Sequence, residues 1–340
     1  MTVAEVEIVQ IAAGELLRAG MSSARVKTLQ TRLMQLGVQA AGEVSGVMDA
    51  ATVEAVKVFQ TRAGLNDDGV VGAGTLGALN RGVQGQIEQV DVNLERWRWL
   101  PDELGRRHLR ANIADFNVTA YKDGVAERTH LTIVGKTFRK TPVFSDEVDY
   151  IVLNPWWETP PSLARADKLP LFKRDPAAVQ RLGFQVLDRS GTVVNASTID
   201  WNAVPAGTMP YRIRQAPGDQ NALGQVKIIF PNKHNVYFHD TPTRGLFAQR
   251  QRAFSSGCLR TQDPIDLSEW LLNETPNWGR DKIDAALVTK KETRVNLASK
   301  VPVHILYSTV VSEEGGGVRY LDDIYQRDAA VLTGLRAPPR

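Results

Sequence analysis

Apolar positions along the chain first follow a helical period and later an alternating one, and the switch divides the sequence. Val6, Val9, Ala13 and Leu16 fall near one face of an amphipathic helix over Met1 to Gly20. Val26, Leu29, Leu33 and Leu36 keep helical spacing and stop at Gly37, a residue suited to the left-handed conformation that ends helices. A second helix is predicted from Asp49 as N-cap through Val53, Val56 and Phe59 to Gly64, and a short third one near Thr75 to Leu79. Leu29-Gln30-Thr31-Arg32 recurs thirty residues later as Phe59-Gln60-Thr61-Arg62, which suggests a duplicated helical element. A connector from Gly82 to Gln89 follows. From His108 the period becomes two, with Leu109, Ala111 and Ile113, then Phe116, Val118 and Ala120, and Lys122-Asp123-Gly124 as a hairpin turn. Further strands are predicted near 129–135, 148–154, 226–230, 236–240 and 301–311. Between Pro155 and Gly224 the prolines exclude regular strands and leave turns with a short helical piece. Trp156, Trp157, Phe172, Phe184, Trp201 and Tyr211 require this insertion to be ordered, and it reads as a lid beside a functional site. The fold class is α+β: a three-helix unit, then a mainly β domain carrying the lid.

Composition narrows the function. With 340 residues the chain suits more than one core, and 41 basic against 38 acidic residues leave a net charge of +3, which argues against nucleic acid as a partner. Arg96-Trp97-Arg98-Trp99 lacks a wider basic field and reads as a strand or a domain junction. No stretch approaches the apolar length of a membrane span. The N-terminal stretch carries Glu5, Glu7 and Glu15 and no basic opening, so it does not read as a secretory signal. A cytosolic address follows if this is the whole protein, and a shortened sequence leaves the address open.

The only cysteine, Cys258, stands in Ser255-Ser256-Gly257-Cys258-Leu259-Arg260, nineteen residues after His239. A lone thiol closes no intrachain disulfide and builds no thiolate cage, which leaves inert packing or nucleophilic chemistry. Gly257 permits a tight turn whose amides, those of Gly257 and Cys258, are candidates to hold an oxyanion. A free thiol is mostly protonated at neutral pH and needs a base. On an extended 235–239, Tyr237 and His239 share one face, which selects His239 as general acid/base over His234 in the preceding turn. His108, His130 and His304 lie in strand patterns and are read as structural. The Asp240 side chain points to the other face, so a backbone carbonyl is the expected orienter of the imidazole. Arg260 either binds a carboxylate or pins the loop, and pinning is preferred. No Cys-x-x-Cys or His-x-x-x-His pair occurs, and neither a metal nor a cofactor is expected.

Leu29, Gln30, Arg32, Leu33, Leu36-Gly37, Gly46, Asp49, Thr52, Phe59-Gln60, Gly64-Leu65, Asp68-Gly69-Val70-Val71-Gly72 and Thr75 resemble the three-helix peptidoglycan-binding domain. Asn235, His239-Asp240-Thr241-Pro242, Gly245-Leu246-Phe247 and the stretch from Ala253 to Arg260 resemble the signature of the YkuD-type L,D-transpeptidases. Asn93 to Pro101, Thr141 to Asp146, Asn154-Pro155-Trp156-Trp157 and Pro160-Pro161-Ser162 fit the lid-bearing subgroup. The resemblance implies a division into 1–21, the remnant of a scaffold; 22–82, wall binding; 83–92, a linker; 93–325, catalytic, with 155–224 as lid; and 326–340, a tail. It implies that Cys258 attacks the third residue of a tetrapeptide stem, releases D-alanine, and passes the acyl group to another stem in a 3→3 cross-link. Tyr237, Ser256 and Arg260 would support the site, and Trp156, Trp157 and Tyr211 would face substrate from the lid. Many relatives carry histidine where Ser256 stands. The implied partners are stem peptides and glycan strands, with carbapenems as covalent inhibitors. The family is exported, so the resemblance implies a periplasmic or cell-wall location and a missing N-terminal region. Hydrolysis by an L,D-carboxypeptidase, an inactive wall-binding scaffold and a cysteine endopeptidase are the alternatives.

Overall fold

The computed structural model describes residues 8–38, 44–313 and 317–338. Helix α1 spans Ala24–Gln35, α2 Ala50–Arg62 and α3 Ala73–Leu79. The Ser23 and Asp49 side chains accept from the amides of Val26 and Thr52 and so satisfy the open N-termini of α1 and α2. Gly37 and Gly64 end the same helices at φ +65° and +68°, with Val38 and Leu65 donating back to the carbonyls of Leu33 and Gln60. The sequence repeat has a physical basis. The buried Gln30 amide donates to Ser45 Oγ, the Val47 carbonyl and Thr52 Oγ1 while its oxygen accepts from the Gly46 amide. Gln60 makes the same set with Asp68, Val70, Thr75 and Gly69. Each glutamine staples a helix to the loop and the helix that follow it.

Residues 8–20 do not form the expected amphipathic helix, and Val6 lies outside the described residues. The buried positions are Ile11 and Leu17, whereas Ala13 and Leu16 face solvent. The backbone here finds partners outside itself. Asn80 brackets Ile11 through both its amide and carbonyl, Arg25 donates to the carbonyls of Ala12 and Glu15, and Leu17 pairs with Val71. The stretch expected to be a connector is instead helix α4, Val83–Arg98. Its buried face is Gln89, Val92 and Asn93, so it carries little apolar period. Gln89 and Asn93 hydrogen-bond Thr309, and Arg96 pairs with Asp328 at 2.7 Å, which fixes the helix to the C-terminal segment. The Arg96–Trp99 run is therefore the end of a helix and not a strand.

Strands β1 Arg107–Asn112, β2 Asn117–Lys122, β3 Val125–Gly135 and β4 Phe144–Leu153 begin the main sheet. The β2–β3 turn has Asp123 and Gly124 both at positive φ, the geometry that matches strand twist. The insertion contains β5 Trp157–Glu158, α5 Pro161–Leu163, a π turn Ala164–Lys168, α6 Leu169–Arg174, α7 Ala178–Arg181, β6 Phe184–Leu187, β7 Val193–Val194 and β8 Arg212–Gln215. Contrary to expectation it holds regular strands, a sheet in the order β5-β8-β6-β7. The prolines lie between these strands and at helix starts, where a missing amide costs nothing. Phe172, Phe184, Val186 and Trp201 give the insertion its own core.

The chain returns through β9 Val226–Ile229, β10 Phe238–His239, β11 Ala253–Ser255, β12 Leu259–Thr261, α8 Pro264–Leu272, α9 Arg280–Val288, β13 Thr293–Leu306, β14 Val310–Ser312, β15 Val318–Tyr320 and α10 Asp328–Arg336. The main sheet runs β11-β3-β12-β10-β9-β4-β13-β1-β2, and β2 pairs again with β3, closing the order into a ring. Leu109, Val118, Ile151, Ile228, Phe238, Leu259 and Val303 fill its core together with Leu267, Trp270 and Leu271 of α8. Arg250, in the segment leading to β11, donates to the Leu65 carbonyl and Thr61 and pairs with Asp67, joining the helical unit to the ring.

Replacing Gln30 with Ala leaves the Gly46 amide and the Val47 carbonyl without their side-chain partner. At about 1 kcal/mol per bond, plus the cost of unpaired buried groups, the helical unit should lose about 2–4 kcal/mol, read as a lower urea midpoint for its transition.

Candidate active site

Strands β9, β10 and β12 lie side by side, and their register sets a face. His239 pairs with Lys227 on one side and Arg260 on the other, so three side chains form a row across the sheet. Phe238, on the other face, is fully buried in the core. The amide of Leu259 donates to the Tyr237 carbonyl, which brings Cys258 beside Tyr237. Both rows occupy the face away from the core, as strand parity predicts for Tyr237 and His239. Tyr237 packs against the core of the ring and that of the lid, so it stands at their junction.

The turn that presents Cys258 is braced from three directions. Gly257 sits at φ +123°, a conformation that other residues adopt only under strain. Ser255 Oγ accepts from the Gly257 amide at 3.1 Å and donates to the Cys258 carbonyl at 2.6 Å. Thr141 Oγ1 donates to the Gly257 carbonyl and accepts from the Gly135 amide, and the Tyr325 hydroxyl bonds both Gly135 and Thr141. The Gly257 amide is thus engaged by the Ser255 hydroxyl. The Cys258 amide makes no hydrogen bond among the described residues and remains available.

Tyr237 neighbours the sulfur and favours its ionised form. The thiol's own weak donor faces the Asn235 carbonyl at 3.7 Å. Burial pushes the thiol pKa upward, against the lowering effect of Tyr237, Lys227 and Arg260. The His239 Nδ1 bonds the Asp240 carbonyl, which orients the ring as the sequence anticipates and leaves Nε2 as the acceptor. Burial, then the charges of Arg260 and Lys227, holds its pKa down at about 3. The resting arrangement at neutral pH is a neutral thiol and a neutral imidazole on one face of the sheet.

The other expected residues fall into place unevenly. Ser256 is exposed and accepts from Arg139, which also pairs with Asp167 of the lid. Arg260 makes no side-chain hydrogen bond or ion pair among the described residues and its Nε is buried without a partner, so it does not pin the loop. Trp157 is buried against Phe184, Trp156 stacks on Arg214, and Tyr211 meets Trp201 edge-on. These three aromatic residues hold the lid together. Lys227 was not singled out by the sequence. Its ammonium lies 4.3 Å from the centre of the Tyr237 ring, in electrostatic reach of the thiol. The available signal was one charge inside the apolar run Val226-Lys227-Ile228-Ile229. Among the described residues no group of three His, Cys, Asp or Glu side chains could hold a metal ion.

Lys227→Met removes a charge that favours the thiolate, so alkylation of Cys258 by iodoacetamide at pH 8 should slow by about 3- to 10-fold. The unfolded chain protonates His239 below about pH 6.5 and the folded chain only near 3, so this contribution to stability is complete above 6.5 and falls as pH drops towards 3. His239→Asn should flatten that part of the curve of urea midpoint against pH.

Residues 106–297 match the family described as "L,D-transpeptidase catalytic domain", and residues 22–79 match one described as "Putative peptidoglycan binding domain". A Haemophilus influenzae protein named "Putative L,D-transpeptidase" is 36% identical over 244 residues, covering 72% of this chain and 49% of that protein. The chain therefore spans about half the length of this curated relative. Among solved structures, an L,D-transpeptidase from Xylanimonas cellulosilytica is 17% identical over 86% of this chain and 98% of its own, with a TM-score of 0.28. The structure titled LD transpeptidase LdtMt1 in complex with imipenem is 14% identical over 59% of each chain, with a TM-score of 0.25. The catalytic-domain match takes in the ring from β1 into β13, the lid and the turn that carries Cys258, and on that extent the chain belongs to the L,D-transpeptidase family.

Proposed function

We propose that this protein forms 3→3 cross-links in peptidoglycan through a thioester on Cys258. The thiol attacks the carbonyl of the third stem residue, its proton passes to His239 Nε2, and the amide of Cys258 holds the oxyanion. The C–N bond breaks and the imidazolium protonates the departing D-alanine amine. An amine of a second stem then attacks the thioester, gives its proton to His239, and the thiol leaves with that proton restored. Two acyl transfers replace one amide exchange and need no external energy source. The observation that supports this reading is the joint availability of His239 Nε2 and the Cys258 amide beside a braced thiol. The helical unit would hold the wall polymer while the ring acts on its stems, which places the protein outside the cytoplasm. No helix among the described residues is long and apolar enough to cross a membrane.

The test is intact-protein mass spectrometry after incubation with a disaccharide-tetrapeptide, with product chromatography alongside. A tripeptide adduct on Cys258 together with cross-linked dimer is expected. Adduct with free tripeptide and no dimer would replace cross-linking by hydrolysis, and product formed by Cys258→Ala would overturn the assignment. His239→Asn should slow acylation by about 10²- to 10⁴-fold, the usual worth of a positioned general base. A carbapenem should acylate the same sulfur and block the stem adduct.

A further inference from the structure

The loop 136–141, which leaves β3, holds three consecutive residues of the turn that presents Cys258. The Lys136 amide donates to the Ser255 carbonyl at 3.0 Å, the Arg139 guanidinium to Ser256 Oγ at 3.0 Å and Thr141 Oγ1 to the Gly257 carbonyl at 2.9 Å. The loop also folds back tightly on its own strand. A Cβ on Gly135 would stand 2.1 Å from the Arg139 carbonyl oxygen and 2.8 Å from the Thr141 nitrogen, so glycine is required there. A loop held this closely has little room to shift without carrying the turn with it. The same guanidinium grips the lid. Arg139 donates to both oxygens of Asp167, at 2.8 and 3.1 Å, a two-bond geometry that fixes direction as well as distance. Its Nη1 serves Asp167 and Ser256 at once. Asp167 lies in the π turn Ala164–Lys168, an irregularity that recurs at functional sites. Among the described residues no other hydrogen bond or ion pair joins 155–224 to this loop or to 253–260. The Arg139 side chain is 27% exposed and that of Asp167 43%, so the pair adds little to stability. Its consequence is geometric, because one planar group touches the lid on one side and the turn on the other.

We propose that Arg139 is a positioning residue that makes the placement of Cys258 depend on the seat of the lid. It acts through Ser256, two residues before the thiol. With the lid seated, Asp167 orients the guanidinium, and the guanidinium holds Ser256 and with it the turn. With Asp167 withdrawn, Arg139 loses its fixed partner and the turn loses one of its three ties to the loop. The proposal rests on reading Cys258 as the nucleophile of the transpeptidase. It gives the lid a part in acylation that needs no contact with the sulfur, since small errors in the placement of a reacting group cost large factors in rate.

The test is a double-mutant cycle on the full chain, with the wild type, Asp167→Ala, Arg139→Met and the double variant. Two rates are read by intact-protein mass spectrometry. One is alkylation of Cys258 by iodoacetamide, which needs only the thiol. The other is acylation by a disaccharide-tetrapeptide, taken to saturation so that the rate constant separates from KM. Asp167→Ala should lower the saturating acylation rate about fivefold with KM nearly unchanged, and should change the alkylation rate about threefold. In the Arg139→Met background the same substitution should change neither, because the link that transmits it is gone. Urea midpoints should stay close to that of the wild type throughout, which separates a loss of rate from a loss of fold. Effects of the two substitutions that simply multiply, or an Asp167→Ala variant that matches the wild type in both rates, overturn the coupling and leave the transpeptidase reading intact. A wild type that is alkylated but never acylated removes the transpeptidase reading, and the alkylation cycle then decides the coupling by itself.

Discussion

Two register pairs, Phe238 with Leu259 and His239 with Arg260, hold two short parallel strands together, and the groups around the thiol take their positions from them. The pairing buries Phe238 and Leu259 in the ring and so turns their neighbours outward. A slip of one residue would exchange the faces and send His239 into the core. The flanking pair with β9 resists that slip, because Ile228, opposite Phe238, is buried in the same core. The chemistry is thus set by hydrophobic burial on the far side of the sheet.

The electrostatics follow from the same geometry. An imidazole set between Lys227 and Arg260 and cut off from water stays uncharged at neutral pH, while desolvation keeps the proton on the thiol. The same cations that discourage the imidazolium encourage the thiolate, so the site opposes charge on one partner and favours it on the other. The balance between them depends on what neutralises the cations.

Local patterns were readable where local forces decide them. The capped starts of α1 and α2, the glycines that end them and the Asp123-Gly124 hairpin all lay in the sequence. So did the face shared by Tyr237 and His239 and the backbone carbonyl that orients the imidazole. What escaped depends on partners distant in the chain. Residues 8–20 gave up a helix for Asn80, Arg25 and Val71. Helix α4 buries glutamine and asparagine against Thr309, a contact no apolar period announces. Lys227 reaches the site because β9 pairs with β10, and linear spacing does not encode that register. The bond from the Gly257 amide to Ser255 also escaped, because the sequence places Ser255 two residues away without showing that its hydroxyl folds back.

The closed ring also limits how a peptide can be read. β10 and β12 each have a neighbour on both sides, so their main-chain donors and acceptors are already spent. An extended peptide cannot join them as an added strand, the usual device by which proteins grip extended chains. In the ring's strand order only β11 ends with a single neighbour, and it is three residues long. Discrimination of an extended chain at this site therefore falls to side chains and to the lid.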